Sequence, residues 1–424
     1  MSDTESYSET SISSDENLDQ NVNNLNLKSK ILNNYNIIDE LGSGSYSRVW
    51  LGFNIENNRF YAIKVQNPED YKDGVSEIKI LKSLPKHKNL LNLKEYFIVK
   101  SDEDKYLCSC YELCCGNLDG FIRKGEYKNG LRIDLAKKIF KQLIEGLNII
   151  HSNCNLIHCD IKTDNILLRG QSNKEKRIIN LYKDFNFPEK YLEAKKKFWT
   201  DAGKNLDKIK KMKSEEKLKI RKTVHSNICY NLEEQLNHEN EIETKIDISL
   251  IENPEIVIAD FGAACTEDES YEEDFGTRYY RAPEVVLLGE TTNKVDIWAA
   301  GCILYELIEG NFLFDPDKDK FKSRDYYHLL EMTKVSGKFS KKFLKTTKNW
   351  KQFFDREYDL KDTEYREYYD WNELLGKIDD DKLRNLITDL LKKMLNLNPS
   401  QRPSAKEILR HQWLVEECQE HQPE

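Results

Sequence analysis

The chain has 424 residues, 39% of them hydrophobic and 33% charged, with a net charge of −9. That length holds two or three average domains, or one large bilobal domain with insertions. No stretch approaches the roughly 20 apolar residues of a membrane span, and the acidic balance argues against a nucleic-acid-binding surface while suiting basic peptides as partners.

Met1-Ser2-Asp3-Thr4-Glu5 has neither a basic region nor an apolar core, so no signal peptide is expected. Residues 1–30 are rich in Ser, Asp, Glu and Asn and should form a disordered acidic tail. Ser13 and Ser14, before Asp15-Glu16, could accept phosphate, although a solvated tail is the simpler reading. From Tyr35 the pattern changes. Ile37, Ile38 and Leu41, then Val49-Trp50-Leu51, then Phe60-Tyr61-Ala62-Ile63-Lys64-Val65 read as strands separated by polar turns. Lys72 to Leu84 reads as a helix, and Leu135, Ile139, Leu143, Leu147 and Ile150 recur at helical spacing further on. Val295 to Leu307 is apolar on nearly every side, which predicts a buried central helix. A β-rich first part and a helix-rich remainder imply two lobes of an α+β architecture. The ten cysteines form no regular framework and fit free thiols in a reducing compartment. Cys108, Cys110, Cys114 and Cys115 are crowded, but no second pair or histidine completes a zinc pattern, so buried strand thiols are expected.

Gly42-Ser43-Gly44-Ser45-Tyr46-Ser47-Arg48-Val49 lies between two predicted strands. Glycines let a backbone pass close to phosphate oxygens that a Cβ would obstruct, although a plain hairpin turn has the same composition. Lys64 follows among inward-facing strand residues and needs a buried anion. Glu77 shares a helix face with Ile80, Leu81 and Leu84, so its carboxylate also needs a partner, and Lys64 is the obvious one.

His158-Cys159-Asp160-Ile161-Lys162-Thr163-Asp164-Asn165 and Asp260-Phe261-Gly262 carry the strongest signal. Phosphoryl transfer requires an acid that orients a hydroxyl and cations that hold phosphates in line. Asp160 is the candidate base, Lys162 the candidate contact to the transferred group, and Asn165 and Asp260 the candidate magnesium ligands. Lone Asp and Asn residues are usually turn formers; the spacing and the flanking Ile166-Leu167-Leu168 and Ile256-Val257-Ile258-Ala259 favour chemistry. Phe261 is expected to pack into the core.

Asn165 and Asp260 are 95 positions apart, yet both must reach the same metal ions. Structureless loops beyond about 15 residues are uncommon in compact domains, so residues 171–254 form an insert that leaves the core and returns. Lys195-Lys196-Lys197, Lys210-Lys211 and the run from Lys217 to Lys222 make it basic. A solvated, partly helical excursion is expected, with nuclear import or docking as the alternative.

Together these residues resemble the eukaryotic protein kinase fold over residues 35–414, with an N-lobe at 35–113, a helical C-lobe at 114–414 and a short tail at 415–424. The resemblance implies ATP and Mg2+, nucleotide contacts along Leu41 to Val49 (including Ser43, Ser45, Tyr46, Ser47 and Arg48), at Ala62 and Lys64, and at the hinge residues Glu112 and Cys114. It also implies that Ala282-Pro283-Glu284 closes the activation segment. Arg402 is then a candidate buried partner for Glu284, and Asp296 either caps its helix or braces the catalytic loop. Asp160-Ile161-Lys162 resembles the serine/threonine branch. Thr277-Arg278-Tyr279-Tyr280-Arg281-Ala282-Pro283-Glu284 resembles the CMGC group of MAP, cyclin-dependent, dual-specificity and SR-protein kinases.

Within that group the SR-protein kinases are the most similar. They share the pattern of Gly42 to Trp50, a short residue in place of arginine before the catalytic Asp, a long spacer, and an ending like Leu409-Arg410-His411-Gln412-Trp413-Leu414. Phe261 and Ala282-Pro283 follow kinases in general instead. A protein substrate rich in Arg and Ser is the implied partner, met by a monomer in the cytoplasm, the nucleus or both, without direct nucleic-acid or membrane contact. A proline-directed or dual-specificity kinase and a pseudokinase scaffold are the alternatives. Cys159 cannot pair with a phosphate as arginine does, so activity should survive phosphatase treatment. Glu267, Asp268, Glu269, Glu272, Glu273 and Asp274 form either a lure for substrate arginines or a solvated loop. Asp355, Glu357 and Asp359 form a weaker acidic cluster.

Overall fold

A computed structural model describes residues 9–11, 27–28, 30–101, 104–123, 127–201, 213–237, 250, 252–266, 275–317, 321–362 and 367–416. The chain divides into two units. The first gathers Met1–Lys82, Asn92–Cys115 and Gly170–Ile248; the second gathers Ser83–Leu91, Gly116–Arg169 and Ser249–Glu424.

The first unit opens with strands β1 (Glu9–Ser11), β2 (Ile31–Leu32), β3 (Tyr35–Ser43), β4 (Ser47–Asn54) and β5 (Arg59–Gln66), then helix α1 (Tyr71–Ser83) and strands β6 (Glu95–Ser101) and β7 (Asp104–Tyr111). Helix α2 (Ile133–Asn153) and strands β8 (Leu156–Ile157) and β9 (Ile166–Arg169) belong to the second unit. The chain then returns to the first unit for α3 (Asn173–Asp184), α4 (Phe187–Asp201) and α5 (Ser214–Asn237). It finishes in the second with β10 (Ile256–Ile258), β11 (Cys265–Thr266), α6 (Lys294–Glu309), α7 (Arg324–Ser336) and α8 (Asp381–Met394).

Aromatic and β-branched residues suit a pleated, half-buried surface, and seven strands of the first unit form one sheet in the order β1-β6-β7-β5-β4-β3-β2. Side chains alternate between its faces. Tyr35, Ile37, Trp50, Ile63, Val65 and Phe97 pack together on one side, with Cys108 and Cys110 among them as buried free thiols. On the other side Ile38, Leu51 and Phe53 meet Ile178, Ile179, Tyr182 and Phe187 from α3 and α4, and Ile220, Val224, Ile228 and Leu232 from α5. An antiparallel sheet commonly leaves one face to water; here the inserted helices cover it. The expectation of a solvated excursion is therefore corrected. The insert is helical, but an apolar stripe recurring every four residues on α5 outweighs its lysines and docks it on the sheet. Ser172 starts α3 with a capping box, its hydroxyl accepting from the Glu175 amide at 3.2 Å while the Glu175 carboxylate accepts from the Ser172 amide at 2.6 Å.

The N-terminal expectation also changes. Glu9–Ser11 pairs in parallel with Ile98–Lys100 of β6, an edge that offers unpaired backbone groups, and Leu27 is buried in the same core as Tyr35. Most of the acidic tail, Ser13 and Ser14 included, lies outside the described residues.

In the second unit Leu135, Ile139, Leu143, Leu147 and Ile150 of α2 are all buried, as their spacing predicts. Helix α6 is buried nearly all round, from Val295 to Glu309. A Cβ at Gly146 would come within 2.7 Å of Ile258, so glycine lets α2 approach β10 closely. Strands β9 and β10 pair antiparallel with Ile166 opposite Ile258, which closes the insert at its stem. Among the described residues no helix is long and apolar enough to cross a membrane.

Candidate active site

In the first unit, β5 and α1 bring Lys64 and Glu77 together. The Lys64 Nζ lies 2.8 Å from Glu77 Oε2 and 3.1 Å from Oε1. Glu77 is buried on the α1 stripe with Gly74, Ile78 and Leu81, while Ile80 and Leu84 are only half-buried. The helix is rotated slightly from the expected face, and the pair forms regardless. A buried carboxylate persists when a cation and hydrogen bonds compensate it.

The turn from β3 to β4 holds the glycine-rich stretch. Gly42 pairs with Val49 and Ser43 with Arg48 across the hairpin. The Gly44 amide donates to the Ser47 carbonyl at 2.9 Å. Asn67 pins the tip, its amide donating to the Tyr46 carbonyl and its side-chain nitrogen to the Ser45 carbonyl, both at 3.0 Å. A Cβ at Gly42 would meet nothing within 4 Å, and one at Gly44 only the Ser47 carbonyl oxygen at 3.8 Å. The hairpin itself does not demand glycine there. Bare backbone at both positions suits a ligand that approaches from outside. Leu41 is half-buried, Ser43, Ser45 and Tyr46 are exposed, and Ser47, Arg48, Val49 and Ala62 are intermediate. Glu112 is ion-paired with Lys94, and Cys114 is half-buried just beyond it.

In the second unit, the ends of β9 and β10 draw the catalytic-loop residues to Asp260. The Ala259 amide donates to the Asn165 carbonyl at 2.9 Å. His158 Nε2 lies 3.0 Å from the Ala259 carbonyl, so that nitrogen carries the proton. Phe261 is fully buried, its ring 5.0 Å from that of His158. Cys159 and Asp260 both hold left-handed backbone, at φ 69° and 61°, a conformation that costs energy in non-glycine residues and clusters at functional sites. Asp296 resolves in favour of the brace: its carboxylate accepts from the His158 amide at 2.8 Å and the Cys159 amide at 3.0 Å, and His151 Nε2 lies 2.8 Å from it.

Asp160 is the hub. Lys162 Nζ donates to its Oδ2 at 2.7 Å, and the Thr277 hydroxyl and amide donate to its Oδ1 at 2.8 and 3.0 Å. The Asn165 side-chain nitrogen adds bonds to the Asp160 carbonyl at 2.9 Å and to Oδ2 at 3.2 Å. Burial by itself would raise the Asp160 carboxyl, but Lys162 and then Thr277 outweigh it and hold the group below the ordinary carboxylate range. It is an ionised acceptor at neutral pH. Because the Asn165 nitrogen is committed to Asp160, its amide oxygen and the Asp260 carboxylate are the hard oxygen donors of the loop.

Sequence reasoning missed Thr277 as a site residue, although it opens the stretch that carried the group resemblance. It contacts both Asp160 and Lys162, the latter at 3.1 Å. It also missed the network behind the loop, in which Tyr280 joins the Thr163 hydroxyl at 3.0 Å to Glu306 at 2.7 Å, with Arg123 2.6 Å from Glu306 on the other side. Burial pushes the Glu306 carboxyl up to about 7 despite Tyr280 and Arg123.

Arg402 and Glu284 meet in a buried bidentate pair at 2.6 and 2.8 Å. The Cys159 thiol sits 3.6 Å from that of Cys265, and this contact together with burial pushes its titration up. Asp355 accepts from the amides of Glu357 and Asp359 and so forms a turn, while Asp359 pairs with Lys338. Glu267 to Asp274 and Lys210-Lys211 lie outside the described residues.

An ionised, lysine-paired aspartate in one unit, and in the other a Lys–Glu pair on the sheet that carries bare glycine backbone, are the parts of a phosphotransferase. The protein kinase domain model matches residues 35–205 and 245–414, and the chain belongs to the protein kinase family. A protein of Acanthamoeba polyphaga mimivirus, L205, is 28% identical over 90% of this chain and 87% of its own length. The serine/threonine-protein kinase SRPK of Physarum polycephalum is 27% identical over 90% of this chain and 86% of its own. SRSF protein kinase 3 of Mus musculus is 24% identical over the same shares. This chain is a serine/threonine protein kinase similar to the SR-protein kinases, and membership of the family implies ATP as phosphate donor and proteins as acceptors.

Proposed function

We propose that Asp160 is the base of the transfer and that the phosphorylated proteins are rich in Arg and Ser. The observation that carries the first part is the bonding of Asp160: held ionised by Lys162 and Thr277, it can accept the proton of a substrate hydroxyl and aim the oxygen. Lys162 neutralises charge on the transferred group, its Nζ already lying between Asp160 Oδ2 and the Thr277 hydroxyl. In the first unit Lys64, held by Glu77, binds phosphate oxygens, and the backbone of Leu41 to Val49 covers them. Ala62, Glu112 and Cys114 contact the adenine ring of the nucleotide. Asn165 and Asp260 fit magnesium, which prefers a few oxygen donors and keeps water and phosphate as its other ligands. When bound, it neutralises charge developing on the phosphate oxygens.

The names of the SRPK and SRSF kinase relatives support an Arg/Ser-rich acceptor, as does the net charge of −9. The test is Asp160→Ala in the full chain. Turnover should fall by about 10²–10⁴ while ATP affinity stays within about twofold. Near-normal turnover would refute the role of Asp160. An arrayed peptide library supplies the second half, because a preference for proline after the acceptor, with indifference to arginine, would refute the substrate class.

A further inference from the structure

Four polar contacts from the insert converge on one short stretch, Asn34 in the turn before β3 and residues 36–39 within it. His225 of α5, fully buried, places Nε2 3.1 Å from the Ile37 carbonyl, so that nitrogen is the donor. The Asn36 side-chain nitrogen donates to the Tyr182 hydroxyl of α3 at 2.9 Å, also buried. Arg221 donates to the Asn34 side chain at 3.0 Å, and Lys174 pairs with Asp39 at 2.9 Å. All four partners lie between Asn34 and Asp39, directly ahead of Leu41 and the glycine-rich turn. The β3–β4 register shifts twice in the same region, between Ile37 and Asp39 and between Glu40 and Gly42. Such bulges loosen the ladder and bend the strand. An apolar cover would shield Ile38, Leu51 and Phe53 in many registers. Buried polar bonds select one, because misalignment strands a desolvated donor or acceptor.

We propose that the insert positions the nucleotide-binding hairpin, with His225 and Tyr182 as positioning residues that fix β3 where its ladder to β4 is interrupted. This inference rests on the reading of Leu41 to Val49 as the nucleotide turn. The insert thus substitutes for ladder bonds that the bulges remove, and the set of the turn depends on helices that lie more than 120 residues away in sequence. The effect appears in ATP binding and not in the transfer step.

The test uses the full chain carrying Tyr182→Phe, His225→Phe, or both, with Lys64→Met in parallel. Steady-state kinetics with a basic serine peptide and amide hydrogen exchange over residues 36–49 are the readouts. The double variant should raise the KM for ATP on the order of fivefold to tenfold, keep kcat within about threefold, and speed exchange across Glu40 to Arg48. An unchanged KM for ATP with unchanged exchange would overturn the inference and leave the insert as a passive cover. Should His225→Phe fail to fold, Tyr182→Phe alone decides, since it deletes one hydroxyl and no packing volume. Full turnover by Lys64→Met would instead overturn the nucleotide reading; an inactive Lys64→Met beside insert variants that behave as wild type would sink only the positioning role.

Discussion

Lys64–Glu77 and Arg402–Glu284 are both cation–carboxylate pairs with little exposure, yet they are built for different purposes. Arg402 and Glu284 are sealed, at 0% and 1% side-chain exposure, and joined by two bonds in a fixed fork. Arg402 adds bonds to the carbonyls of Asn396 and Lys294, at 2.8 and 2.9 Å. Lys64 keeps 17% of its side chain exposed and offers a single flexible ammonium. The sealed pair satisfies itself and spends its bonding capacity on structure. The half-open pair leaves part of the lysine side chain accessible from outside, where a phosphate can approach it. A planar guanidinium suits the first task and a rotatable point charge the second.

That difference predicts which property each variant loses. Arg402→Ala leaves Glu284 charged and buried, so the second unit should lose about 3–5 kcal/mol of stability, read as a lower midpoint in chemical denaturation, with activity falling in proportion to unfolding. Lys64→Met should lower kcat/KM by roughly 10²–10³ and, because it strands the buried Glu77 beside a partly solvent-reachable site, lower the denaturation midpoint by less than Arg402→Ala does. If the two variants instead lost stability equally, the contrast between the pairs would fail.

His225 sharpens the account of the insert. Burial pushes its titration down to about 4, against an ordinary value of 6.5. Between those values the unfolded chain binds a proton that the folded chain does not, so stability is complete above 6.5 and is lost as pH falls towards 4. The loss amounts to roughly 3 kcal/mol. Denaturation midpoints at pH 7 and 4.5 should therefore converge in His225→Phe relative to wild type. Equal pH slopes in both proteins would show that His225 is not buried neutral against β3.

Much of the candidate site is legible because kinase motifs compress it into short stretches. Asp160, Lys162 and Asn165 sit within six residues, and Asp260 is marked by a buried strand before it. Glu77 could be paired with Lys64 from helical geometry alone. The insert was visible as a gap, but its docking was not. Its lysines dominate local composition, whereas Ile220, Val224, Ile228 and Leu232 reveal a buried face only when matched with Ile38, Leu51 and Phe53 far upstream. The clue lay in the sheet: β3 and β4 place apolar residues on both faces, which requires a cover. Thr277 escaped for a related reason, since nothing near it in sequence indicates the carboxylate it meets.

The central claim is that Lys162 and Thr277 keep Asp160 ionised so that it can accept the substrate proton. It is tested most directly by the acid limb of kcat/KM for a peptide, compared between wild type and Thr277→Val. Losing the hydroxyl removes a bond to the charged form, so the limb should move to higher pH. An acid limb that stays in place, with Thr277→Val folded and binding ATP normally, would contradict the claim.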